Sequence, residues 1–312
     1  MATAAPDPLP VVMGPTGYRG VAEALAATPG VEALFADDAD HARQLLETAP
    51  VLVTFRWSDD WLTPALRWVQ ATSTGTEQFP IDTFRERGVA LTSARGVHEI
   101  QVSEHALALL LAMTRGVRAA VDQQRDHRWA LPTVADIHGM TLGILGLGTI
   151  GEGLARRAAA LGMRVIGTKR RPEGYRGAAE AVYEPEQTLR VFEESDAVVI
   201  VLPGGPDTAG LVGAPELKAL AGGWLVNVGR ASVIDQTALL DALEAGTLTG
   251  AALDVFEDEP LPPDSPYWDM PGVIVSPHIA GLSPGYGERL AAIFAANVAA
   301  LRGDGAWVNR VV

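Results

Sequence analysis

The sequence contains no cysteine among its 312 residues. That absence excludes a disulfide scaffold, a thiolate nucleophile and any zinc or iron–sulfur site with cysteine ligands. Long hydrophobic runs are also missing, since the most apolar stretch, Ala106–Met113, is far shorter than the roughly 18 residues that a membrane span needs. The amino-terminal MATAAPDPLP has neither the basic nor the apolar region of a signal peptide. We therefore expect a soluble, cytoplasmic protein.

Positive charge is scarce as well, because 24 Lys and Arg stand against 38 Asp and Glu, a net charge of −14. This balance disfavours a nucleic-acid partner, which needs a basic face, and disfavours docking on anionic membranes. His41, His105, His127 and His138 show no metal-ligand spacing, so no metal site is predicted. The length suggests about two domains, and the apolar content is that of an ordinary globular protein.

Short apolar runs of strand length alternate with helical patterns along most of the chain. This alternation is typical of βαβ units and predicts an α/β fold, with two Rossmann-like lobes built on parallel sheets that helices cover on both faces. The predicted strands are Val51–Phe55, Trp68–Ala71, Val89–Thr92, Thr141–Leu147, Arg164–Gly167, Ala197–Leu202, Trp224–Val228, Gly250–Val255 and Val273–Ser276.

The strongest motif is GLGTIG at residues 146–151, which follows an apolar strand and opens a helix. Gly146 permits a tight turn, Gly148 lets the backbone approach a pyrophosphate, and Gly151 lets helix and strand pack closely. The N–H groups and the positive dipole at the start of the helix favour phosphate. The motif in this setting predicts a bound dinucleotide, with two further contacts at Thr149 and Ile150.

Three consecutive cations follow the second strand of this unit: Lys169, Arg170 and Arg171. Sites for NAD usually place Asp or Glu here, where it accepts a hydrogen bond from the ribose 2′-hydroxyl. A carboxylate would repel a 2′-phosphate, whereas these cations attract one. The pattern favours NADP(H) while leaving NAD(H) possible, and the alternative is a solvated basic turn.

Helical patterns suggest how the lobes are divided. Val102–Val117 is a long apolar helix that would suit a connector between two lobes. The C-terminal stretch places Leu290, Phe294 and Val298 at helical spacing, and we expect it to return to the first lobe. The predicted substrate-binding lobe is therefore discontinuous. It comprises residues 1–103 and 284–312, and residues 104–283 form the dinucleotide-binding lobe.

Polar residues follow several strands of the second lobe, and strand ends of an open parallel sheet face one crevice. Arg230 offers a planar fork that can hold a carboxylate. His278 can exchange a proton with a carbonyl oxygen, and Glu259 can orient its ring and favour the protonated form. Each residue also has a structural alternative. Arg230 could cap a helix or form an ion pair with Asp235, Glu259 could be one more carboxylate in an acidic loop, and His278 could be a buried core residue.

Other residues at or just after these strand ends are predicted to contact the cofactor. They are Leu202, Pro203, Thr208, Val228, Gly229 and Gly281.

The sequence resembles the D-isomer-specific 2-hydroxyacid dehydrogenases along nearly its whole length. The resemblance lies in LGILGLGTIG, in the stretch from LVNVGRASVIDQTALLDALEAGTLTG to AALDVFEDEPLPPDSPYW, and in VIVSPHIAG. The branch that it is most similar to is the NADPH-preferring haloarchaeal reductases, followed by the glyoxylate/hydroxypyruvate reductases; the shared features include HRWALP and the ending NRVV.

The resemblance implies a set of roles. Arg230, Glu259 and His278 would be the catalytic residues, and Asp254 would lie near the nicotinamide carboxamide. It also implies a homodimer and a loop whose backbone N–H groups meet the substrate carboxylate, at Thr74, Gly75 and Thr76. Arg230 and His278 would contact the substrate too.

The implied reaction is reversible, NAD(P)H-dependent reduction of a 2-oxo acid to the D-2-hydroxy acid. Two alternatives use the same fold. One is a nucleotide-sensing binding protein similar to the C-terminal-binding-protein corepressors, and the other is a formate- or phosphite-type dehydrogenase. Turnover of a 2-oxo acid with NADPH would distinguish the first alternative.

Overall fold

The computed structural model describes residues 7–14 and 20–312. Most of the amino-terminal segment that lacks signal-peptide features, MATAAP, lies outside the described residues. The chain forms two compact units, one running up to Val97 and resuming at Ser283–Val312, the other spanning His98–Leu282. The first boundary thus falls before the predicted 103/104 division, and the second lies one residue earlier than predicted.

The strands are numbered in chain order. Those of the first unit are β1 (Leu9–Met13), β2 (Val31–Phe35), β3 (Val51–Thr54), β4 (Trp68–Ala71) and β5 (Ala90–Thr92). Those of the second unit are β6 (Thr141–Leu145), β7 (Arg164–Thr168), β8 (Ala181–Tyr183), β9 (Ala197–Ile200), β10 (Trp224–Asn227), β11 (Gly250–Leu253) and β12 (Val273–Val275).

The helices alternate with these strands. They are α1 (Val21–Ala26), α2 (Ala39–Leu46), α3 (Ile81–Arg87), α4 (Glu99–Thr114), α5 (Val117–Arg125), α6 (Thr149–Ala160), α7 (Thr188–Glu193), α8 (Ala214–Ala219), α9 (Gln236–Glu244) and α10 (Tyr286–Leu301). Among the described residues, no helix has the length and apolar character needed to cross a membrane.

The first unit is built on a five-stranded parallel sheet in the order β2-β1-β3-β4-β5. Successive side chains of a strand point to opposite faces, and both faces of a parallel sheet are covered. In β3, Val51 and Val53 therefore pack in one core and Leu52 in the other. Both cores are closed by helices of the same unit.

Helix α10 comes last in the chain yet completes the core of the first unit. Its Phe294 ring stacks on Trp68 with centroids 5.1 Å apart, and Leu290 and Val298 are buried in the same core. Burying a large apolar side chain contributes about 1.5–3 kcal/mol, so this helix is a substantial part of the unit's stability. The first unit is consequently discontinuous in sequence.

The second unit is built on seven parallel strands in the order β12-β11-β10-β9-β6-β7-β8. The chain starts at β6, builds outward through β7 and β8, then returns to β9 and builds outward on the other side. This reversal creates a switch point between β6 and β9, and open α/β sheets bind ligands outside the carboxyl ends of the strands there. The predicted α/β fold with two parallel sheets is confirmed.

The long apolar helix predicted at Val102–Val117 is two helices in the structure. Gly116, with φ 66°, separates α4 from α5, because a left-handed residue ends a helix. Helix α4 begins at Glu99 and packs in the core of the second unit, where Val102 and Leu110 join Leu154 of α6. This packing explains why the first boundary lies after Val97.

Candidate functional site

The glycine-rich loop leaves β6 and opens α6 at the switch point of the second sheet. Gly146 has φ 103°, a left-handed conformation that side chains disfavour. A Cβ on Gly151 would lie 2.2 Å from the Gly146 carbonyl oxygen, so only glycine allows this helix–loop packing. A Cβ on Gly148 would meet nothing within 4 Å. The backbone at Gly148 therefore has open space beside it, whereas the backbone at Gly151 is packed tightly against Gly146.

The end of β7 holds this loop in place. The backbone N–H of Leu147 donates to the Thr168 carbonyl at 2.7 Å, and that of Gly146 donates to the Thr168 hydroxyl at 3.1 Å. In the first turn of α6, the N–H groups have no intrahelical acceptor, as at any helix start. The N–H groups of the loop itself are used internally, so the donors left for a phosphate group are those of the first turn of α6.

The basic turn after β7 divides into one anchored and two exposed cations. The Lys169 ammonium donates to the Leu147 carbonyl, so it ties the turn to the glycine-rich loop. Arg170 and Arg171 are exposed, and neither guanidinium has a hydrogen bond or ion pair among the residues that the structure describes. Two guanidinium groups are therefore available to an anionic ligand.

Tyr175 ties the remainder of this turn to α6. Its hydroxyl donates to Glu152 Oε2 at 3.0 Å and accepts from the Ala179 N–H at 3.0 Å. Burial and the Glu152 carboxylate both raise the pKa of Tyr175, and burial is the larger effect. The hydrogen bond from the Ala179 N–H lowers the pKa by less, so it stays above its ordinary value. The hydroxyl thus stays protonated as a donor at neutral pH.

The segments after β9 and β10 approach each other closely. A Cβ on Gly229 would lie 2.6 Å from the Leu202 carbonyl oxygen, so glycine is required there. Thr208 donates its hydroxyl to the Pro203 carbonyl at 2.8 Å and folds the loop between them, and Val228 is buried. These predicted cofactor contacts thus lie at the carboxyl ends of β9 and β10. The Thr208 hydroxyl already donates to the Pro203 carbonyl within the same loop.

Arg230 follows β10 and has an exposed side chain. The Asn227 amide shapes the turn, since it accepts from the Gly229 N–H and donates to the Arg230 carbonyl, both at 3.0 Å. The guanidinium donates to the Gly229 carbonyl at 2.8 Å, and no carboxylate within the described part of the chain pairs with it. Asp235 instead caps α9 by accepting from the Ala238 N–H at 3.1 Å. The Arg230 guanidinium therefore has N–H groups left to hold an anion.

His278 and Glu259 form a direct pair. His278 Nδ1 lies 2.6 Å from Glu259 Oε2, while Glu259 Oε1 accepts from the Phe256 N–H at 2.9 Å. An ionised carboxylate only accepts, so Nδ1 carries the donated proton and Nε2 is left for proton exchange. The His278 side chain is 51% exposed, which rules out the alternative of a core histidine.

The backbone at His278 adopts φ 53°, an uncommon conformation for a residue with a side chain. The buried Asp254 carboxylate holds the loop by accepting from the N–H groups of Ile279 and Ala280, each at 3.0 Å. Burial alone would raise the pKa of Asp254, but hydrogen bonds from His105, Ser276 and these two N–H groups outweigh it and lower the pKa. Asp254 is therefore ionised at neutral pH.

The loop at residues 72–76 belongs to the first unit. Ser73 donates its hydroxyl to the Gly75 carbonyl at 2.6 Å, and the Thr76 carbonyl accepts from the Phe79 N–H at 3.1 Å. Over the described ranges, the N–H groups of Thr74, Gly75 and Thr76 have no hydrogen-bond acceptor. The loop therefore offers three backbone donors.

Sequence reasoning missed several residues of these networks. His105 and Ser276 contact Asp254, and Glu152 contacts Tyr175. Ser276 directly precedes the Pro-His of a recognised segment and could have been included, whereas His105 lies far away in sequence and carries no local signal. Considering only residues 7–14 and 20–312, no cluster of three or more His, Asp or Glu could hold a metal ion.

Comparison with protein families places the strand ends of the second unit in a known domain. The model described as D-isomer specific 2-hydroxyacid dehydrogenase, NAD binding domain, matches residues 107–280. This span includes the glycine-rich loop, Arg230, Asp254 and the His278–Glu259 pair.

Individual relatives agree with the family. A glyoxylate reductase of Korarchaeum cryptofilum is 35% identical over 247 residues, 77% of this chain and 74% of its own. A glyoxylate/hydroxypyruvate reductase B of Pectobacterium carotovorum is 36% identical over 251 residues, 77% of this chain and 78% of its own. The predicted likeness to glyoxylate/hydroxypyruvate reductases is confirmed, and that to the haloarchaeal branch stays a prediction.

Solved structures show the same fold over nearly all of the chain. The crystal structure of an NADPH-dependent glyoxylate/hydroxypyruvate reductase from Sinorhizobium meliloti, in complex with citrate, has 27% sequence identity. It superposes with a TM-score of 0.80 and covers 97% of this chain and 98% of its own. The chain therefore belongs to the D-isomer-specific 2-hydroxyacid dehydrogenase family and is an NAD(P)-dependent oxidoreductase.

Proposed function

We propose that this protein reduces a small 2-oxo acid to the D-2-hydroxy acid and prefers NADPH. The observation that carries the proposal is the 2.6 Å contact between His278 Nδ1 and Glu259 Oε2, which leaves Nε2 of a half-exposed ring for proton exchange. Glyoxylate and hydroxypyruvate are the first substrates to test, because similar proteins carry those names.

The glycine-rich loop and the basic turn fit a dinucleotide. Open backbone at Gly148 and the N-terminus of α6 would hold the pyrophosphate, and Arg170 with Arg171 would hold a 2′-phosphate. Gly281 and the residues after β9 and β10 would line the remainder. When bound, the nicotinamide supplies the hydride.

The remaining chemistry belongs to side chains of the chain itself. Arg230 would hold the substrate carboxylate through its planar fork and polarise the adjacent carbonyl. His278 would donate the Nε2 proton to the carbonyl oxygen during reduction and take it back during oxidation, while Glu259 stabilises the imidazolium. The N–H groups of Thr74, Gly75 and Thr76 are proposed as further donors to the carboxylate.

A substrate panel with both cofactors tests this proposal. Purified protein is mixed with glyoxylate, hydroxypyruvate or pyruvate, each with NADPH and with NADH, and loss of the nicotinamide absorbance is followed. Formate and phosphite are tested in the oxidative direction. We expect turnover with at least one 2-oxo acid and D-lactate as the product from pyruvate, as measured by enantioselective chromatography.

Each alternative has its own result in the same panel. Tight NADPH binding without any turnover would favour a nucleotide-sensing binding protein. Turnover of formate or phosphite without that of 2-oxo acids would favour the formate- or phosphite-type reaction. L-Lactate as product would contradict the proposed stereochemistry.

Arg230→Lys tests the carboxylate anchor. A hydrogen bond to a charged group contributes about 1.5–3 kcal/mol, and an ammonium group cannot reproduce the fork. We expect kcat/KM to fall at least about tenfold for every 2-oxo acid, because the carboxylate is common to all of them. A loss confined to one substrate would mean that Arg230 contacts the substrate side chain instead.

We also propose a homodimer, on the basis of an apolar segment between α5 and β6. Trp129 is 98% exposed and Leu131 is 93% exposed, the highest values for large hydrophobic residues in the described part of the chain. A recess lined by Pro132, Trp224 and Gly250 lies beside this segment, at the amino ends of β10 and β11. A protruding apolar group beside a recess suits a self-complementary two-fold interface.

Replacing both Trp129 and Leu131 with Ser should convert the dimer to a monomer in light-scattering measurements. The matched control is Phe35→Ser, which removes an exposed aromatic residue of β2 and should leave the dimer intact. A wild-type monomer, or a double variant that stays dimeric, would refute this interface.

A further inference from the structure

A polar cluster, buried at Asp254 and Ser276 and partly exposed at His105, supports the loop that carries His278. It joins α4 to the carboxyl ends of β11 and β12: His105 Nε2 lies 2.9 Å from Ser276 Oγ and 3.3 Å from Asp254 Oδ1, and Ser276 Oγ also donates to Asp254 Oδ1. The Asp254 side chain is 1% exposed, and Ser276 is buried. Buried polar groups of this kind are costly unless they are fully hydrogen-bonded, so each partner matters for the geometry.

The hydrogen bonds around His105 show which of its two ring nitrogens carries a proton. Asp254 accepts from two backbone N–H groups and is ionised, so it has no proton to give. The single hydroxyl proton of Ser276 is directed at Asp254. The contact between His105 and Ser276 therefore requires a proton on Nε2, shared between the hydroxyl and the carboxylate.

The cluster extends to the catalytic loop through backbone atoms. Asp254 holds the N–H groups of Ile279 and Ala280, the two residues that follow His278. The His278 N–H donates to the Ser276 carbonyl at 3.0 Å, so both sides of the φ 53° residue are fixed. An uncommon conformation of this kind persists only where its surroundings determine it.

We propose that His105 is a positioning residue for the reaction, which holds Ser276 and Asp254 so that the loop keeps His278 aligned with Glu259. The proposal rests on the proposed role of His278 in proton transfer. His105 itself contacts neither Glu259 nor His278 among the described residues, so its effect is transmitted through Asp254 and the loop.

His105→Leu removes the Nε2 donor and tests the proposal. A misplacement of about 1 Å can cost about 10²-fold in rate, so we expect kcat to fall about 10- to 100-fold. KM for the 2-oxo acid should change less than kcat, because Arg230 lies on another strand end. His105→Gln can place an amide N–H near the Nε2 position and should restore most of kcat, which a purely space-filling role would not predict.

Two further variants complete the series. Glu104→Gln changes the neighbouring exposed residue of α4 and should leave kcat unchanged. Ser276→Ala removes the hydroxyl link and should lower kcat in the same direction as His105→Leu. If the melting temperature of His105→Leu shows that this variant does not fold, Ser276→Ala tests the cluster instead, and an unchanged kcat in Ser276→Ala would then contradict the proposal.

His278→Ala, measured in parallel, separates the two proposals. Normal turnover of His278→Ala would overturn the proposed function itself. A large loss in His278→Ala together with unchanged kcat in His105→Leu, or equal losses in the Leu and Gln variants of His105, would overturn only the positioning role.

Discussion

His278→Ala is expected to lower kcat for 2-oxo acid reduction by about 10²- to 10⁴-fold, the usual contribution of a general acid. The imidazole pairs with Glu259 at 2.6 Å and its side chain is half-exposed, so the substitution removes the proton donor without opening a core. NADPH affinity, measured by nicotinamide fluorescence, should remain nearly unchanged because the glycine-rich loop is intact. Near-normal turnover would refute the assignment.

Glu259→Gln provides the matched test of the pair. The amide preserves the shape of the side chain but removes the negative charge that stabilises the imidazolium. Reduction requires imidazolium, so its rate should decline at a lower pH in the variant than in the wild type. Oxidation requires neutral imidazole, and its rate should begin to rise at a lower pH. An unmoved pH profile would count against the pairing.

The second large effect concerns the choice between NADPH and NADH. If two cations bind the 2′-phosphate, each contributes about 1.5–3 kcal/mol before desolvation, and we expect NADPH to be preferred about 10- to 1000-fold in kcat/KM. The preference should shrink at high salt, since Arg170 and Arg171 are exposed.

The double variant Lys169→Asp with Arg170→Ile should reverse this preference, chiefly by weakening NADPH binding, because it removes one proposed phosphate ligand and adds a carboxylate that repels the 2′-phosphate. Lys169 also anchors the turn to Leu147, so NADH turnover must be followed to separate lost attraction from a displaced loop. Lys218→Gln on α8 removes one exposed cation outside the site and should leave the preference unchanged. Equal use of the two cofactors by the wild type would contradict the proposed phosphate site and would favour the alternative that the basic turn is a solvated surface.

The sequence pattern predicted most strands of both sheets because parallel strands buried on both faces leave continuous apolar runs. Every predicted strand is present, with ends that differ by a few residues. The strands missed are β1, β2 and β8. In β1, Pro10 interrupts the apolar run, β2 contains Glu32 between apolar residues, and β8 has only three residues. The interior strand β1, which proline interrupts, and the edge strands β2 and β8 therefore lack the continuous apolar run that marks a buried strand.

The candidate site was predictable where local motifs carry the chemistry. Glycine positions and the polar residues after strands could be placed from the order of elements alone. The anchoring of Lys169 on Leu147 and the contact of His105 with Asp254 could not, because both depend on side chains that meet only after folding. Spacing along the chain holds no information on such contacts, because most of the second unit lies between His105 and Asp254 in the sequence.

The position of α10 has a consequence for how the chain folds during synthesis. The second unit is continuous, so all of its strands leave the ribosome before α10 does. The sheet of the first unit emerges earlier but lacks Leu290, Phe294 and Val298 until α10 has been synthesised. The unit that begins second is thus the first that can fold to completion, and the earlier-made sheet exposes apolar surface in the meantime. Chaperone demand during translation should therefore centre on the amino-terminal sheet.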